Sequence, residues 1–452
     1  MEELGLTYAT FNQASGCNYA GLAIGCLLLI PCVHKYGRRP IYLISAVVQF
    51  ACALWWANFH HAGELIAISL LAGLAGSISE AVVMITVIDL FFVHQHARMN
   101  GIFLLMQSLG ATGGPIVAGY IVVSLGWRWM WWIIAILLGV NLVLVTFFFE
   151  ESKYIPILVG QSGPSHGPEL IETKSEEKTA NQSAYPVTTR SSTNTRSRKT
   201  ILQRLALVTK TDMPIRQHFY QPLVTLFSFP AVAFAAVTYG TILAWFSVTS
   251  SAASYFLLAD PYDFSPSAIG LFHLGGFVGS FLSTLVTPAL NDRSIVRSAR
   301  RNGGIFEPEM RLWMSIPGAV FNCAGLMVFG IGLGRGMHWA MLAVGCGIFG
   351  FGFIMTADVA LTYLTDCYPD ILGDALIAVV FLRNGFAMVV RFAFTPWVTG
   401  MGIQNTFILI GLLALATAIM PTVLMFYGKR ARGRTAANYR RYATRQPVHR
   451  AV

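Results

Sequence analysis

His34-Lys35-Tyr36-Gly37-Arg38-Arg39-Pro40 joins two apolar runs, residues 16–33 and 41–58, each long enough to cross a bilayer as a helix. Gly37 permits a tight reversal and Pro40 opens the following helix, so the stretch reads as a short connection between neighbouring spans. Three cations in so short a turn assign it to the side of the membrane that retains Lys and Arg. Outward from this turn, eleven apolar segments account for most of the chain: residues 16–33, 41–58, 64–92, 100–124, 129–149, 222–256, 266–290, 312–334, 338–363, 372–397 and 402–427. The segment 222–256 is longer than a simple span and contains Pro230 and Gly240, either of which would kink it.

Composition leads to the same fold class. Hydrophobic residues make up 55% of the 452, charged residues only 12%, and the mean hydropathy is +0.59. A soluble domain carries about 25% charged residues, so the chain reads as an all-α polytopic membrane protein whose first partner is the lipid bilayer. The ten-residue alternation of a membrane β-barrel is absent. The net charge of +10 does not call for nucleic acid, because the cations lie between and after the apolar runs. With the turn placed inside, 27 of the 31 Lys and Arg residues fall on that side, only Arg128 and Arg335 on the other, and Arg383 and Arg391 within spans.

This orientation makes residues 150–221 a cytoplasmic linker and 428–452 a basic cytoplasmic tail. The linker is rich in Ser, Thr, Gly, Pro and charge and reads as disordered, with a short amphipathic helix near 201–210. It separates an N-terminal half, 1–149, of about five helices from a C-terminal half, 222–427, of six. The count puts Met1 outside ahead of an odd number of spans, and the pattern calls for one more helix before residue 16. With it, Leu290-Asn291-Asp292-Arg293 in the second half stands where His34 and Lys35 stand in the first, the parallel-repeat design of two matching halves.

Several ordered motifs carry a resemblance. Tyr36-Gly37-Arg38-Arg39-Pro40 resembles the inner-turn motif of the major facilitator superfamily, Asp89-Leu90-Phe91-Phe92-Val93-His94 the close of its fourth helix, and Gly126-Trp127-Arg128-Trp129 the start of its sixth. Residues 301–311 are similar to a loop of its fungal twelve-helix drug:proton antiporters, a group that includes histidinol- and polyamine-permease-like members. Gly110, Gly114, Pro115 and Gly119 resemble the antiporter motif of the fifth helix in the family count, with Ala118 replacing one glycine. The resemblance implies a major facilitator fold of two rocking helical halves, a small-molecule substrate, protons as co-substrate in exchange, and a plasma-membrane monomer. Three positions depart from the pattern. Ile30 and His34 replace the Gly and the gating acid of the inner turn, and the family's fourth-helix arginine falls on Ser69.

Candidate functional residues follow from the cost of ionisable groups at membrane depth. Glu80, central in 64–92, is the first candidate for proton coupling or for binding a cationic substrate. Asp358 and Arg383, joined by one turn, could pair, although Arg383 lies about 9 Å deeper by helical rise. Arg391 lies farther along with no sequence-near partner, and His273 near the outer part of its span. Asn18, Tyr19, Gln107, Tyr239, Trp245 and Asn384 are polar or aromatic residues suited to lining a cavity. His34, Lys35, Gly37, Arg38, Arg39, Asp89, Asp292 and Arg293 form the inner turns, with Asp89 the natural partner of Arg38 and Arg39. The seven cysteines stand singly with no metal-ligand spacing. No Walker, Gly-x-Ser-x-Gly or HExxH sequence is present, so no ATP-driven or enzymatic step and no cofactor is expected. Three readings stand open: proton-coupled export of a small organic compound, uptake of organic cations such as polyamines or histidinol, and a non-transporting or truncated relative.

Overall fold

Residues 7–90, 93–151 and 215–443 are described by a computed structural model. The side chains of His34, Asp89 and Gln107 lie outside the described residues, as does the stretch near 201–210. The described chain is built from thirteen α-helices: α1 (Tyr8–Tyr36), α2 (Arg39–Ala57), α3 (Ala62–Leu90), α4 (Val93–Leu125), α5 (Trp127–Phe148), α6 (Ile215–Ser228), α7 (Pro230–Phe256), α8 (Pro266–Phe272), α9 (Leu274–Arg301), α10 (Ser315–Gly334), α11 (Trp339–Cys367), α12 (Leu372–Ala416) and α13 (Ile419–Ala443). Short 3-10 turns at Pro308–Met314 and Pro369–Ile371 join the later helices. Among the described residues each expected span lies mainly on helix.

Local chemistry sets where the helices begin and turn. Thr7 caps α1 by accepting from the Thr10 amide at 3.3 Å. Gly37 adopts φ 104° between α1 and α2, a conformation that L side chains rarely take. The long segment 222–256 breaks at Phe229, immediately before Pro230, and runs unbroken through Gly240. Proline lacks the amide that would continue the helix, so the break falls ahead of it. In α12 the chain reverses at Gly402, φ 78° and ψ 160°. Ahead of Gly402, Arg383 and Arg391 lie beside Gly240 and Ser247 of α7; after it, Gln404, Phe407 and Gly411 lie beside Gly334, Gly330 and Met327 of α10, in descending order. A single residue therefore connects two crossings.

Small residues bring the helices together. α1 crosses α3 where a Cβ on Gly21 would strike the Leu70 carbonyl and one on Gly73 the Asn18 carbonyl. α9 crosses α11 in the same manner through Gly279 against Gly347 and Gly350 against Gly276. Large apolar side chains point the opposite way: Phe147, Phe148 and Phe227 are more than two-thirds exposed. Exposed phenylalanine with interior glycine is the pattern of helices packed in lipid, where close backbone approach replaces hydrophobic collapse.

At the end of the bundle holding the His34–Pro40 turn, α1 packs on α12 through Cys26, Ile30, Val33 and Ile377. The carboxylate of Glu151, just past α5, bridges the turn by accepting from the Arg38 amide at 2.9 Å and the Arg39 amide at 3.1 Å. Arg39 also donates to the Thr146 carbonyl at 2.9 Å. Among the described residues the acid seated on this turn is thus Glu151; the expected partner Asp89 has its side chain outside them. At the same end, α13 is strapped to the loop before α10. Arg432 makes a two-point contact with buried Glu309 at 2.9 and 2.8 Å, and Lys429 pairs with Glu307. Hydrogen bonding from Lys429 holds the Glu307 carboxyl below the usual glutamate range. Arg311 pairs with Asp366 at the foot of α11.

Candidate functional site

Four of the expected residues converge on one point where α3, α7 and α12 meet. Arg383 of α12 donates to Glu80 Oε2 of α3 at 2.6 Å, and Asn384 Nδ2 donates to the same oxygen at 3.1 Å. Tyr239 of α7 completes the group: its hydroxyl accepts from Arg383 Nη1 at 3.4 Å, and the guanidinium lies 5.1 Å from its ring centre. The Arg383 side chain is 8% exposed and that of Glu80 23%, so the cation is enclosed while part of the carboxylate stays uncovered by protein. Cys26, Ile30, Ile78, Val82 and Ile377 form one buried apolar cluster beside the pair.

The arrangement corrects one expectation. Arg383 pairs with Glu80, 303 residues away, and not with Asp358 on the adjoining helix. Asp358 stays partly buried, and its backbone carbonyl accepts from Thr362. An ion pair inside lipid-embedded helices gains less from attraction than its two members lose in hydration, so stability alone gives little reason to keep one. Removing either member, by contrast, leaves a buried charge without its counterion.

A second constellation surrounds Arg391, two helical turns from Arg383. Its Nε donates to Ser247 Oγ at 2.7 Å and its Nη1 to Asn12 Oδ1 at 3.0 Å. The same Asn12 oxygen accepts from Ser251 at 3.0 Å, and Asn12 Nδ2 donates to Thr395 at 3.1 Å. Tyr8 stacks on Tyr255 at 4.0 Å just beyond. Arg391 forms part of the wall of a cavity of about 660 Å³ whose other lining residues include Asn18, Tyr19, Ser69, Trp56, Trp127 and Trp131. Ser69, the position where the resembled family carries arginine, thus opens on the same space as Arg391. Asn18 lines the cavity while donating to the Ser69 carbonyl at 3.0 Å.

The remaining candidates fall elsewhere. Trp245 is 4% exposed in the packed cluster around Phe329 and Phe394. His273 marks the bend between α8 and α9, its ring edge-on to Phe272. In the fifth-helix motif, Gly119 meets the Pro266 backbone of α8 and the Pro115 carbonyl meets Gly270, whereas Gly110 and Gly114 face open space. Asp292 and Arg293 are exposed at the foot of α9, in a shallow recess with Arg297, Arg300 and Arg301. Among the described residues no cluster of His, Cys, Asp and Glu could hold a metal. Glu151 was missed; its only trace in the sequence is an acidic pair, Glu150-Glu151, closing a span.

The model of the Major Facilitator Superfamily matches residues 1–390. An uncharacterized MFS-type transporter of Schizosaccharomyces pombe is 29% identical, aligned over 97% of this chain and 80% of that protein. Protein HOL1 of Saccharomyces cerevisiae is 26% identical over 95% and 81%, and the MFS transporter cpaT of Aspergillus oryzae 29% identical over 91% and 77%. The crystal structure of the human organic anion transporter MFSD10 (TETRAN) shares the fold with a TM-score of 0.58 at 16% identity, covering 91% of this chain and 83% of that one. The helical architecture and the family match agree, and the chain belongs to the Major Facilitator Superfamily as a multi-pass membrane transporter.

Proposed function

We propose that the chain is a proton-coupled secondary transporter that exports a small organic compound by alternating access, with Glu80 as the carboxylate that carries the proton. The observation that carries this reading is the Glu80–Arg383 pair, which links α3 to α12 across the two helix sets at 2.6 Å. Protonation of Glu80 would cancel the attraction while Arg383 keeps its charge, so the helices could part without pulling opposite charges into hydrocarbon. Its 23% exposure supports access of the proton to Glu80. In this reading the His34–Pro40 turn, the linker and the tail face the cytoplasm, the plasma membrane is the site of action, and a monomer suffices.

Uptake of an organic cation is the weaker alternative, because the charged residue in the cavity wall is a cation, Arg391. The test is a pH gradient imposed on vesicles containing the full chain and the pH dye pyranine, with a panel of small aromatic compounds added. A transported compound should collapse the gradient with wild-type protein. Glu80→Gln should abolish that collapse while retaining exchange of the labelled compound for unlabelled. Full coupling in Glu80→Gln would remove Glu80 from the proton step, and no compound-dependent flux by the wild type would remove the transport reading.

A further inference from the structure

We infer that Arg391 anchors an organic-anion site: the compound carried is a monovalent acid, a carboxylate or its equivalent, attached to a flat aromatic body. This deepens the transport reading and rests on it. Arg391 differs from three other arginines of the bundle. Arg383, Arg311 and Arg432 each face a carboxylate, Glu80, Asp366 and Glu309. The hydrogen-bond partners of Arg391 are two neutral oxygens, Ser247 Oγ and Asn12 Oδ1. A guanidinium has five N–H donors in a fixed fork, and these contacts use two. The rest have no acceptor among the described residues.

The neutral bracket is itself held in place. Asn12 is fixed by Ser251 and Thr395, so its carbonyl oxygen remains turned toward the guanidinium. The result is a positioned cation, oriented by neutral groups that do not cancel its charge, on the wall of a cavity of about 660 Å³. A volume in this range suits one small organic molecule. A carboxylate is the natural complement, since it can accept two parallel N–H bonds from such a fork.

The rest of the lining defines the body of the ligand. Trp56 stacks on Trp131 at 4.5 Å, and Phe59 meets Trp127 at 5.5 Å, so planar rings line the same cavity as the charge. Arg128 lies over Trp127 at 4.8 Å, adding a second cation beside the cavity. The neighbouring acid, Glu64, is turned away to accept from Trp55 Nε1 and the His60 amide. A cationic substrate would meet positive charge here, and a neutral one could offer the spare donors of Arg391 only uncharged, weaker acceptors. Arg391 and Arg383 are eight residues apart on one helix, about 12 Å. A bound anion would therefore lie within two turns of the pair assigned to proton coupling.

Equilibrium dialysis of the purified full chain tests this with three compounds of one shape: 2-naphthoate, neutral 2-naphthamide and cationic 2-naphthylmethylammonium. Naphthoate should bind at least about tenfold tighter than the amide, the scale of one charge-assisted contact, and the ammonium weakest. Arg391→Gln should bring naphthoate and the amide within about twofold of each other, and Arg391→Lys should keep part of the preference. Equal or tighter binding of the amide or the ammonium to the wild type, absence of saturable naphthoate binding, or a full preference in Arg391→Gln would each overturn the inference. The wild-type comparison decides even if Arg391→Gln does not fold. No gradient is imposed, so loss of anion preference with coupled flux intact counts against the inference alone. Anion preference without coupled flux counts against the proton reading alone.

Discussion

Glu80→Gln keeps the shape of the side chain and removes its charge, leaving Arg383 buried at 8% exposure without a counterion. Opposite charges about 3–4 Å apart attract by about 4–6 kcal/mol at the effective dielectric of about 20 that suits protein sites. The 23% exposure of Glu80 lets water screen part of this, and the amide still accepts one hydrogen bond, so about 3 kcal/mol is the expected loss from the state joining α3 to α12. That corresponds to about 150-fold in the balance between the joined state and one opened at the turn end. The chain contains a reporter, because Cys26 is fully buried in one cluster with Ile30 and Val33 of α1 and Ile377 of α12. With the other six cysteines replaced by serine, alkylation of Cys26 by a membrane-impermeant maleimide should accelerate in Glu80→Gln, with 150-fold as the upper limit. Arg383→Gln should accelerate it too, and the double variant should show less than the sum of the two effects in free energy. Alkylation of Cys26 at the wild-type rate in both single variants, in protein that still elutes as a single species, would refute the assignment of this pair as the tie between the helix sets.

Three further outcomes follow from the packing. Gly37→Ala puts a Cβ at φ 104° and against the Glu151 carboxylate, and should lower the stability of the detergent-solubilised protein by about 1–3 kcal/mol, read as a drop in melting temperature. Gly73→Ala should block the α1–α3 crossing by collision with the Asn18 carbonyl and reduce the yield of folded protein, whereas Gly76→Ala, where a Cβ meets only Leu22 at 3.5 Å, should be tolerated. The Lys429–Glu307 contact should weaken in acid: a carboxyl held below its ordinary range contributes fully above that range and loses its contribution as pH falls through the lowered value. Protease susceptibility of the tail should therefore rise on acidification below the ordinary glutamate range, and Lys429→Gln should remove that pH dependence.

The sequence made some of these features legible and hid others for identifiable reasons. Glu80, Arg383 and Arg391 stood out because charge at membrane depth is costly wherever the fold puts it. Their partners did not stand out. Reasoning from helical rise reaches only the neighbouring hairpin, and so pointed Arg383 to Asp358, while the actual contact spans 303 residues and two helix sets. Arg391 is held by Asn12 and Ser247, neutral residues with nothing in their sequence neighbourhood to mark them. The break in the segment 222–256 was assigned to Pro230 or Gly240, and proline won because it removes a donor, whereas a glycine in lipid-packed helix chiefly admits a close neighbour, here Phe386 and the Arg383 backbone. Trp245 looked like a cavity residue by type, yet its surroundings are the tight ring cluster of Phe329, Phe394 and Phe407.

Glu151 has a second consequence. Its carboxylate is clamped on the amides of Arg38 and Arg39, and the chain leaves it directly into the long polar stretch that begins at Ser152. The end of α5 is held to the same turn, because Arg39 also donates to the Thr146 carbonyl. One carboxylate thus fastens the segment after α5 to both arginine amides of the α1–α2 connection, so its loss would release the two together.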